Sequence, residues 1–590
     1  MITQSNKAES IVDVFDYVVV GAGPSAIGII RGLLETVSRN NNFPSFSIAI
    51  VERGYGPPHD TATYSPRLWY EAANPSSNST KSVKLHPSKI TGRAIDVPVG
   101  QGLGGTSNIN ACLCIPPLQQ DLRTWPDPFR SKLISNAKYL KRVMENNKAI
   151  QYTSMENTHN PFSLRNSILK FRNTVPTTTA RDVRTNGLVR RNYYSALLEP
   201  LFEDHPHLEK YLHWFRGHEA QRLLLNDDNT RVIGIECIPT GRNQISTYRE
   251  ILAKKRIILC AGAIETPALM LVSKVGDKEP LMGVGQHLRD QALLARVFFK
   301  RPSFGNLGNK SNTNSPSGIV AIGHLQIKSD DFERSHKIFQ VAITDSTVDV
   351  SIIPSVVAMA LRWKCQMKIF EGIVETAFRF TRIIIHLALV YTPIGFILQY
   401  LTTTTMIFIM HPRSRGSVII SPNKNQKRKN GEPERRRHIT IDVDPNYLDD
   451  PRDIKDLKSA WDASEEISSS TEIFPNLIFS VFKLFRSKTL WFESYCRYFL
   501  LPYYHYCGTC AMIQRTDYKD NQDWVVNSSL KVRGLDGLYI CDASVFPSMI
   551  SNPPALTCAA LGYQFASLIL AEDHNKLDSF ETKQISTSLQ

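Results

Sequence analysis

Apolar and polar positions mark out the first elements. Tyr17 to Val20 is an unbroken apolar run, the pattern of a parallel strand buried on both faces, and it runs into Gly21-Ala22-Gly23-Pro24-Ser25-Ala26. From Ala26 to Leu34 the apolar residues recur at helical spacing. Ser47 to Val51 reads as a second buried strand, reached through the polar loop Arg39 to Pro44 and closed by Glu52. Further on, Leu208 to Phe215, Arg222 to Leu225, Arg231 to Ile238 and Thr247 to Ile251 read as short strands joined by turns at 226–229 and 241–243. Arg256 to Cys260 returns as a buried strand before the Gly262 turn. From about Arg296 the pattern changes, and Ser417 to Ser421 with His438 to Val443 predicts a hairpin.

Ile383 to Leu398 is the core of the most apolar stretch, broken by His386, Thr392 and Pro393. A membrane span needs about 20 apolar residues. This stretch is short and is followed by four threonines, 402–405, so a buried helix of the second domain is the first expectation. A surface dipping into a bilayer is the second, with Arg379, Arg382, Arg413 and Arg415 placed to meet headgroups.

Composition narrows the class. With 590 residues, 42% of them hydrophobic and 21% charged, the chain is long enough for more than one core and too apolar for intrinsic disorder. Ten cysteines at no framework spacing argue for a reducing compartment. The polar start, Met1 to Ser10, predicts no cleavable secretory signal, and the polar tail carries no retention or peroxisomal address. An intracellular protein, cytoplasmic or peripherally membrane-associated, is expected. Asn78 and Asn527 sit in glycosylation triplets that have meaning only in a secreted protein.

The strand, glycine turn and helix at the start are what a pyrophosphate site requires. Gly21 allows the tight turn, Gly23 lets backbone N–H groups approach phosphates, and Ala26 lets the helix pack closely with its positive end toward the anion. Glu52 is the carboxylate expected on the adenosine ribose, although it lies farther from Gly23 than the usual spacing of about 20 residues. This element alone leaves NAD and FAD open.

A second glycine cluster, Gly100-Gln101-Gly102-Leu103-Gly104-Gly105-Thr106-Ser107-Asn108-Ile109-Asn110, suits a backbone lying against a flat ring system. With the first turn it resembles the glucose-methanol-choline (GMC) oxidoreductase family. Cys260 to Leu269, Gly283 to Asp290, His411 to Val418, His505-Tyr506-Cys507-Gly508-Thr509-Cys510 and Val532 to Pro547 resemble further family segments, in family order. The resemblance implies an α/β fold: a Rossmann-like FAD-binding domain made of residues 13–125, 196–295 and 524–575. An α+β substrate-binding domain with an antiparallel sheet, 126–195 and 296–523, is inserted into it.

By the same resemblance, Gly21, Gly23, Ala26 and Glu52 hold the ADP half of FAD, Gly104, Gly105, Thr106 and Asn110 line the flavin side, and Asp542 reaches the ribityl or pyrophosphate region. His505 is the expected base on an alcohol hydroxyl and Asn552 its expected partner on the substrate oxygen, with Ser551 as the fallback because this turn is one residue longer than the family's. Imidazole suits the first role because its pKa lies near operating pH, and an amide suits the second because it donates without competing for protons. Ile109 stands where some members tether the flavin through His, so FAD is expected to be non-covalent.

Asp290-Gln291 replaces the Asp-His of many members, and Ala511-Met512-Ile513 replaces Arg-Met-Gly; both are read as peripheral to the chemistry. The expected reaction is hydride transfer from the CH–OH group of a hydrophobic alcohol to flavin, with oxygen or another carrier as electron acceptor. The alternative is a fold relative with other flavin chemistry, a fatty-acid photodecarboxylase or a hydroxynitrile lyase.

Blander readings apply elsewhere. A lone His among Tyr503, Tyr504 and Tyr506 is ordinarily a core residue; its Gly-Thr-Cys context changes that. Cys507 and Cys510 have dithiol or half-zinc spacing but no second pair, so no metal is expected. Lys424 to His438 carries seven Lys or Arg and two Glu and reads as a solvated loop, with no module that makes it a nucleic-acid site. Peripheral contact with anionic lipid remains its other reading.

Overall fold

The computed structural model describes residues 11–39, 45–55, 80–84, 96–154, 162–164, 167–172, 174–181, 188–240, 248–275, 281–300, 319–328, 336–344, 402–424, 432–470, 473–474, 492–493, 495–496, 500–514 and 523–588. The apolar stretch Ile383 to Leu398 lies outside the described residues.

The apolar run at Tyr17–Val20 ends a strand, Ile11–Val20, flanked in parallel by Ile48–Glu52 and Arg249–Leu259. Leu212–Arg216 extends this sheet beyond Ile48–Glu52, and Val232–Pro239 and His218–Leu225 extend its other side as an antiparallel meander. Leu538–Ile540 brings the C-terminal part of the chain back beside Ile257–Leu259, making seven strands. Thr247 to Ile251 and Arg256 to Cys260, expected as separate strands, are one strand, Arg249–Leu259. It changes partners midway, from the meander to Leu538–Ile540, and Lys254 and Lys255 at the changeover are exposed. The first part of Leu208 to Phe215 is a 3₁₀ segment, Pro206–Tyr211, opened by a proline, and the strand begins only at Leu212.

The helix after the glycine turn, Pro24–Arg39, packs along the final helix, Ala555–Ser588. Their contact is close because glycines face backbone: a Cβ on Gly28 would lie 2.0 Å from Ala559 O, and one on Gly562 would lie 2.0 Å from Ser25 O. Ala555–Asp573 is long and apolar enough to cross a membrane, but it is mostly buried and forms core with Pro24–Arg39.

The helix Phe129–Asn146 buries Phe129, Leu133, Ala137, Leu140 and Met144, residues spaced three or four apart, and packs on the same final helix. Tyr139 Oη donates to Glu35 of the first helix, and Asn136 Nδ2 donates to Gln564 of the last. Placing 126–195 wholly in the substrate-binding domain is therefore incorrect for this helix. Its apolar face is complementary to the nucleotide side, a fact of tertiary packing that local pattern does not carry. Ser167–Phe171, from the same interval, does join the second sheet.

That second sheet is antiparallel and has eight strands, ordered Ile473–Phe474, Ala292–Lys300, Thr402–Ile409, His336–Thr344, Ile319–Lys328, Ser167–Phe171 and Phe162–Leu164, with Leu501–Pro502 beside the start of Ala292–Lys300. The hairpin of Ser417–Pro422 with Ile439–Asp444 is present as expected.

Candidate active site

A cavity is lined by residues of both sheets, from the Gly21 turn to Leu293, Phe408 and His505. On the first side, Gly21 has φ 101°, and a Cβ there would lie 2.5 Å from Cys260 O. A Cβ on Gly23 would meet nothing within 4 Å, so the turn holds open space ahead of the Pro24–Arg39 helix. The second glycine cluster closes on the first: Gly104 N donates to Ala22 O at 2.9 Å, and a Cβ on Gly105 would lie 2.8 Å from Gly23 Cα. Ala26 is fully buried in the helix packing and, like Gly104, is not part of the cavity wall.

Glu52 binds three loops together. Its Oε1 accepts from Gly54 N and Gly102 N, both at 2.8 Å, and its Oε2 accepts from Ala22 N at 3.0 Å. Burial pushes its pKa up and these backbone donors oppose the shift. Asp542 lines the cavity, yet its carboxylate is committed to protein: Oδ2 accepts from Gly262 N (2.8 Å) and Thr266 Oγ1 (2.6 Å), and Oδ1 accepts from Ser544 N (2.8 Å) and Ser544 Oγ. Four donors fill its lone-pair sites, so Asp542 shapes the wall. Asn110 Oδ1 accepts from Cys112 N (3.0 Å) and Arg190 Nη1 (2.9 Å), which leaves its amide N–H₂ as the end available to a ligand. Thr106 is exposed in the wall, and Ile109 is apolar and nearly buried there.

FAD fits these residues. The open space at Gly23 before a helix N-terminus suits a pyrophosphate, and the paired glycine backbones suit a flat ring system.

An ion-pair cluster in the same wall went unnoticed in the sequence. Glu265 pairs with Lys81 Nζ at 2.9 Å, Arg436 Nε at 3.0 Å and Arg53 Nη1 at 3.1 Å, and Glu219 adds contacts to Lys81 and Arg53. Burial alone would raise the Glu265 pKa, but the three cations hold it well below the ordinary carboxylate range. Arg435 pairs with Glu236 in the same region. The reading of Lys424 to His438 as a solvated loop is thus incorrect for its last residues: Arg435 and Arg436 are buried because acids from distant strands and a helix meet them.

Removing one partner of such a cluster strands buried charge, at a cost of about 3–5 kcal/mol. Glu265→Ala is expected to lose that much unfolding free energy at pH 7, measured by chemical denaturation. Because the folded pKa is depressed, the stabilisation is present above the unfolded value near 4.5 and is lost as pH falls through the folded one. The gap between wild type and variant should therefore close in acid.

On the second side, backbone pairing brings two distant segments together. Ala292 pairs with Pro502 and Leu293 with Leu501. Beyond them Tyr503 N donates to Gln291 O at 2.9 Å, and Arg289 and Cys507 exchange two bonds of 3.0 Å. The intervening Asp290 Oδ1 accepts from His505 N at 2.7 Å, and its Oδ2 accepts from Tyr504 N at 3.3 Å and from Tyr447 Oη at 2.5 Å. Burial pushes the Asp290 carboxyl up to about 6, with Tyr447 and the backbone donors opposing. Tyr504 sits at φ 62°, a left-handed conformation costing about 1–3 kcal/mol, and the Asp290 carboxylate holds the turn. His505 therefore faces the cavity from a constrained backbone. Its Nδ1 lies 2.7 Å from Gln291 Oε1 and its ring 3.9 Å from that of Tyr503. Burial pushes the imidazole pKa down to about 3, not near operating pH as expected for the base, so the ring is neutral at ordinary pH.

Two expectations are corrected. Asp290-Gln291 is not peripheral: both side chains contact His505. Asn552 is not beside it in the wall: it is fully buried, its Nδ2 donates to Pro116 O at 2.7 Å, and Pro553 and Pro554 line the cavity instead. Ser551, the fallback, points to Asp121 Oδ1 at 2.6 Å and His411 Nε2 at 2.9 Å. Both side chains are engaged by protein partners, and neither lines the cavity.

The N-terminal GMC oxidoreductase model matches residues 15–170 and 205–293, and the C-terminal model matches 412–562. The GMC oxidoreductase family protein Mala s 12 of Malassezia sympodialis is 22% identical, over 91% of this chain and 89% of its own. The fold is similar to that of pyridoxine 4-oxidase from Mesorbium loti (17% identity, TM-score 0.61, 94% of this chain and 98% of that one). It is also similar to that of a fungal aryl-alcohol oxidase (16% identity, TM-score 0.60, 95% and 99%). The matched family models cover more than half of the chain, from the dinucleotide turn to the final helix, and the chain belongs to the GMC oxidoreductases, flavoenzymes whose cofactor is FAD.

Proposed function

We propose that this enzyme oxidises the CH–OH group of a hydrophobic alcohol, with FAD held non-covalently and His505 as the base. The observation that carries the reading is the wall around His505: a neutral imidazole in a cavity whose neighbouring lining includes Leu113, Leu293, Met406, Phe408, Pro502 and Tyr503. Leu113, Leu293, Met406 and Phe408 belong to one buried apolar cluster, with Tyr503 packed against it. Such a wall excludes water and rewards an apolar substrate body at roughly 25 cal/mol per Å² removed from water.

His505 accepts the hydroxyl proton, which pushes electron density toward the carbinol carbon. FAD, when bound, supplies the acceptor for the hydride that leaves that carbon. Asn110, with its carbonyl end satisfied, offers N–H donors into the same cavity. Ile109 has no nucleophile to attach a flavin. The names of two structural neighbours, a pyridoxine 4-oxidase and an aryl-alcohol oxidase, support the reaction class.

An anaerobic visible spectrum titrated with alcohols tests the reading. Long-chain or aryl alcohols are expected to bleach the flavin, with glucose and choline much weaker. Equal bleaching by all of them would remove the hydrophobic preference, and no bleaching by any would remove alcohol oxidation. Denaturation is expected to release FAD into solution, whereas retention on the precipitated chain would show a covalent link.

A further inference from the structure

Only one nitrogen of a neutral imidazole can accept a proton, and a neighbour decides which. We propose that Gln291 holds His505 in the Nδ1–H tautomer, leaving Nε2 as the proton acceptor. Gln291 is fully buried, and one end of its amide lies 3.1 Å from Met410 O and 2.7 Å from Ile550 O. Both are carbonyls, which only accept, so the group facing them is the NH₂. The other end, Oε1, therefore faces His505 Nδ1 at 2.7 Å. An amide oxygen only accepts, so the proton lies on Nδ1. His505 Nε2 makes no protein hydrogen bond among the described residues, and the side chain lines the cavity.

The backbone fixes both residues before their side chains meet. Tyr503 N donates to Gln291 O and Asp290 accepts from His505 N, which sets the two backbones side by side, and the Gln291 amide is held in turn by Met410 O and Ile550 O. A histidine at 291, as in the family's Asp-His pattern, can donate or accept and would leave the tautomer of His505 undecided. Gln291 acts through His505 and is a positioning residue. The catalytic consequence rests on the alcohol-oxidation reading, but the tautomer does not.

The test is ¹⁵N NMR of the FAD-loaded enzyme labelled at histidine, with the His505 signals assigned by their loss in His505→Ala. The expected result is a protonated, pyrrole-type Nδ1 and a pyridine-type Nε2. A protonated Nε2 in the wild type overturns the proposal, whether or not any alcohol is oxidised.

Gln291→Met removes the acceptor at similar volume and is expected to mix the tautomers. With an alcohol that reduces the flavin, kcat should fall about 10- to 100-fold while KM stays within about 3-fold. Gln291→Glu, protonated at this buried position, turns its O–H toward Met410 O and Ile550 O and its carbonyl oxygen toward Nδ1, and is expected to restore the single tautomer. If Gln291→Met folds and retains a pure Nδ1–H tautomer, Gln291 does not set it and the proposal fails. If that variant does not fold, the wild-type spectrum and Gln291→Glu decide.

Discussion

His505→Ala is expected to slow flavin reduction by alcohol at least 100-fold while leaving the bound-flavin spectrum in place. A positioned base is worth about 10²–10⁴ in rate, and His505 contributes nothing visible to the glycine cradle. Single-turnover mixing under anaerobic conditions separates the two effects, because reduction and cofactor content are read from the same visible band. An unchanged reduction rate would show that proton removal lies elsewhere.

The wild-type pH profile adds a second check. Because burial depresses the imidazole pKa to about 3, the base remains unprotonated as pH falls below the ordinary value of 6.5. The acid limb of kcat/KM should then lie far below 6.5. A limb near 6 would instead report protonation of Asp290, whose carboxyl is raised to about 6 and holds the His505 backbone. For stability the sign is also set: the unfolded state takes up a proton on this His below about 6.5 and the folded state does not, so its burial destabilises the fold progressively between 6.5 and about 3.

The first strand, glycine turn and helix were legible because every part is contiguous: apolar run, glycines, helical spacing. The hairpin at Ser417–Pro422 and Ile439–Asp444 was legible for the same reason. What escaped depends on partners far along the chain. Gln291 and His505 are 214 residues apart, and the pairing of Ala292–Leu293 with Leu501–Pro502 and of Arg289 with Cys507 makes them neighbours. Arg435 and Arg436 belong to a run whose composition reads as solvated, yet their acids lie 199 and 171 residues away. Asn552 failed differently. The motif was visible, but tertiary packing decides whether its side chain meets the cavity or Pro116 O, 436 residues away. The fully buried Gln291 is the counterpart: a departure from the family pattern looked incidental in the sequence and proved to be a contact of His505.

Gly23→Val is expected to fold and yet lose FAD. Most of the nearby glycines cannot report on the cofactor, because a Cβ at Gly21, Gly104 or Gly105 collides with protein and would disturb the fold itself. Gly23 is different: its added Cβ meets nothing within 4 Å, and its φ is not in the left-handed region, so a side chain costs the protein little. The space it enters is the approach to the helix N-terminus, the place proposed for the FAD pyrophosphate.

Forcing extra methyl groups into an occupied site costs about 1–3 kcal/mol, which at its upper end is about 100-fold in affinity. Titrating the apoprotein with FAD should show that weakening, while far-ultraviolet circular dichroism of the two apoproteins remains the same. The melting temperature of wild type should rise with added FAD through binding to the folded state alone, and that of the variant should rise much less at equal concentration. Wild-type affinity in Gly23→Val would move the pyrophosphate away from this turn. Loss of the fold together with FAD would mean that the space at Gly23 is needed for packing.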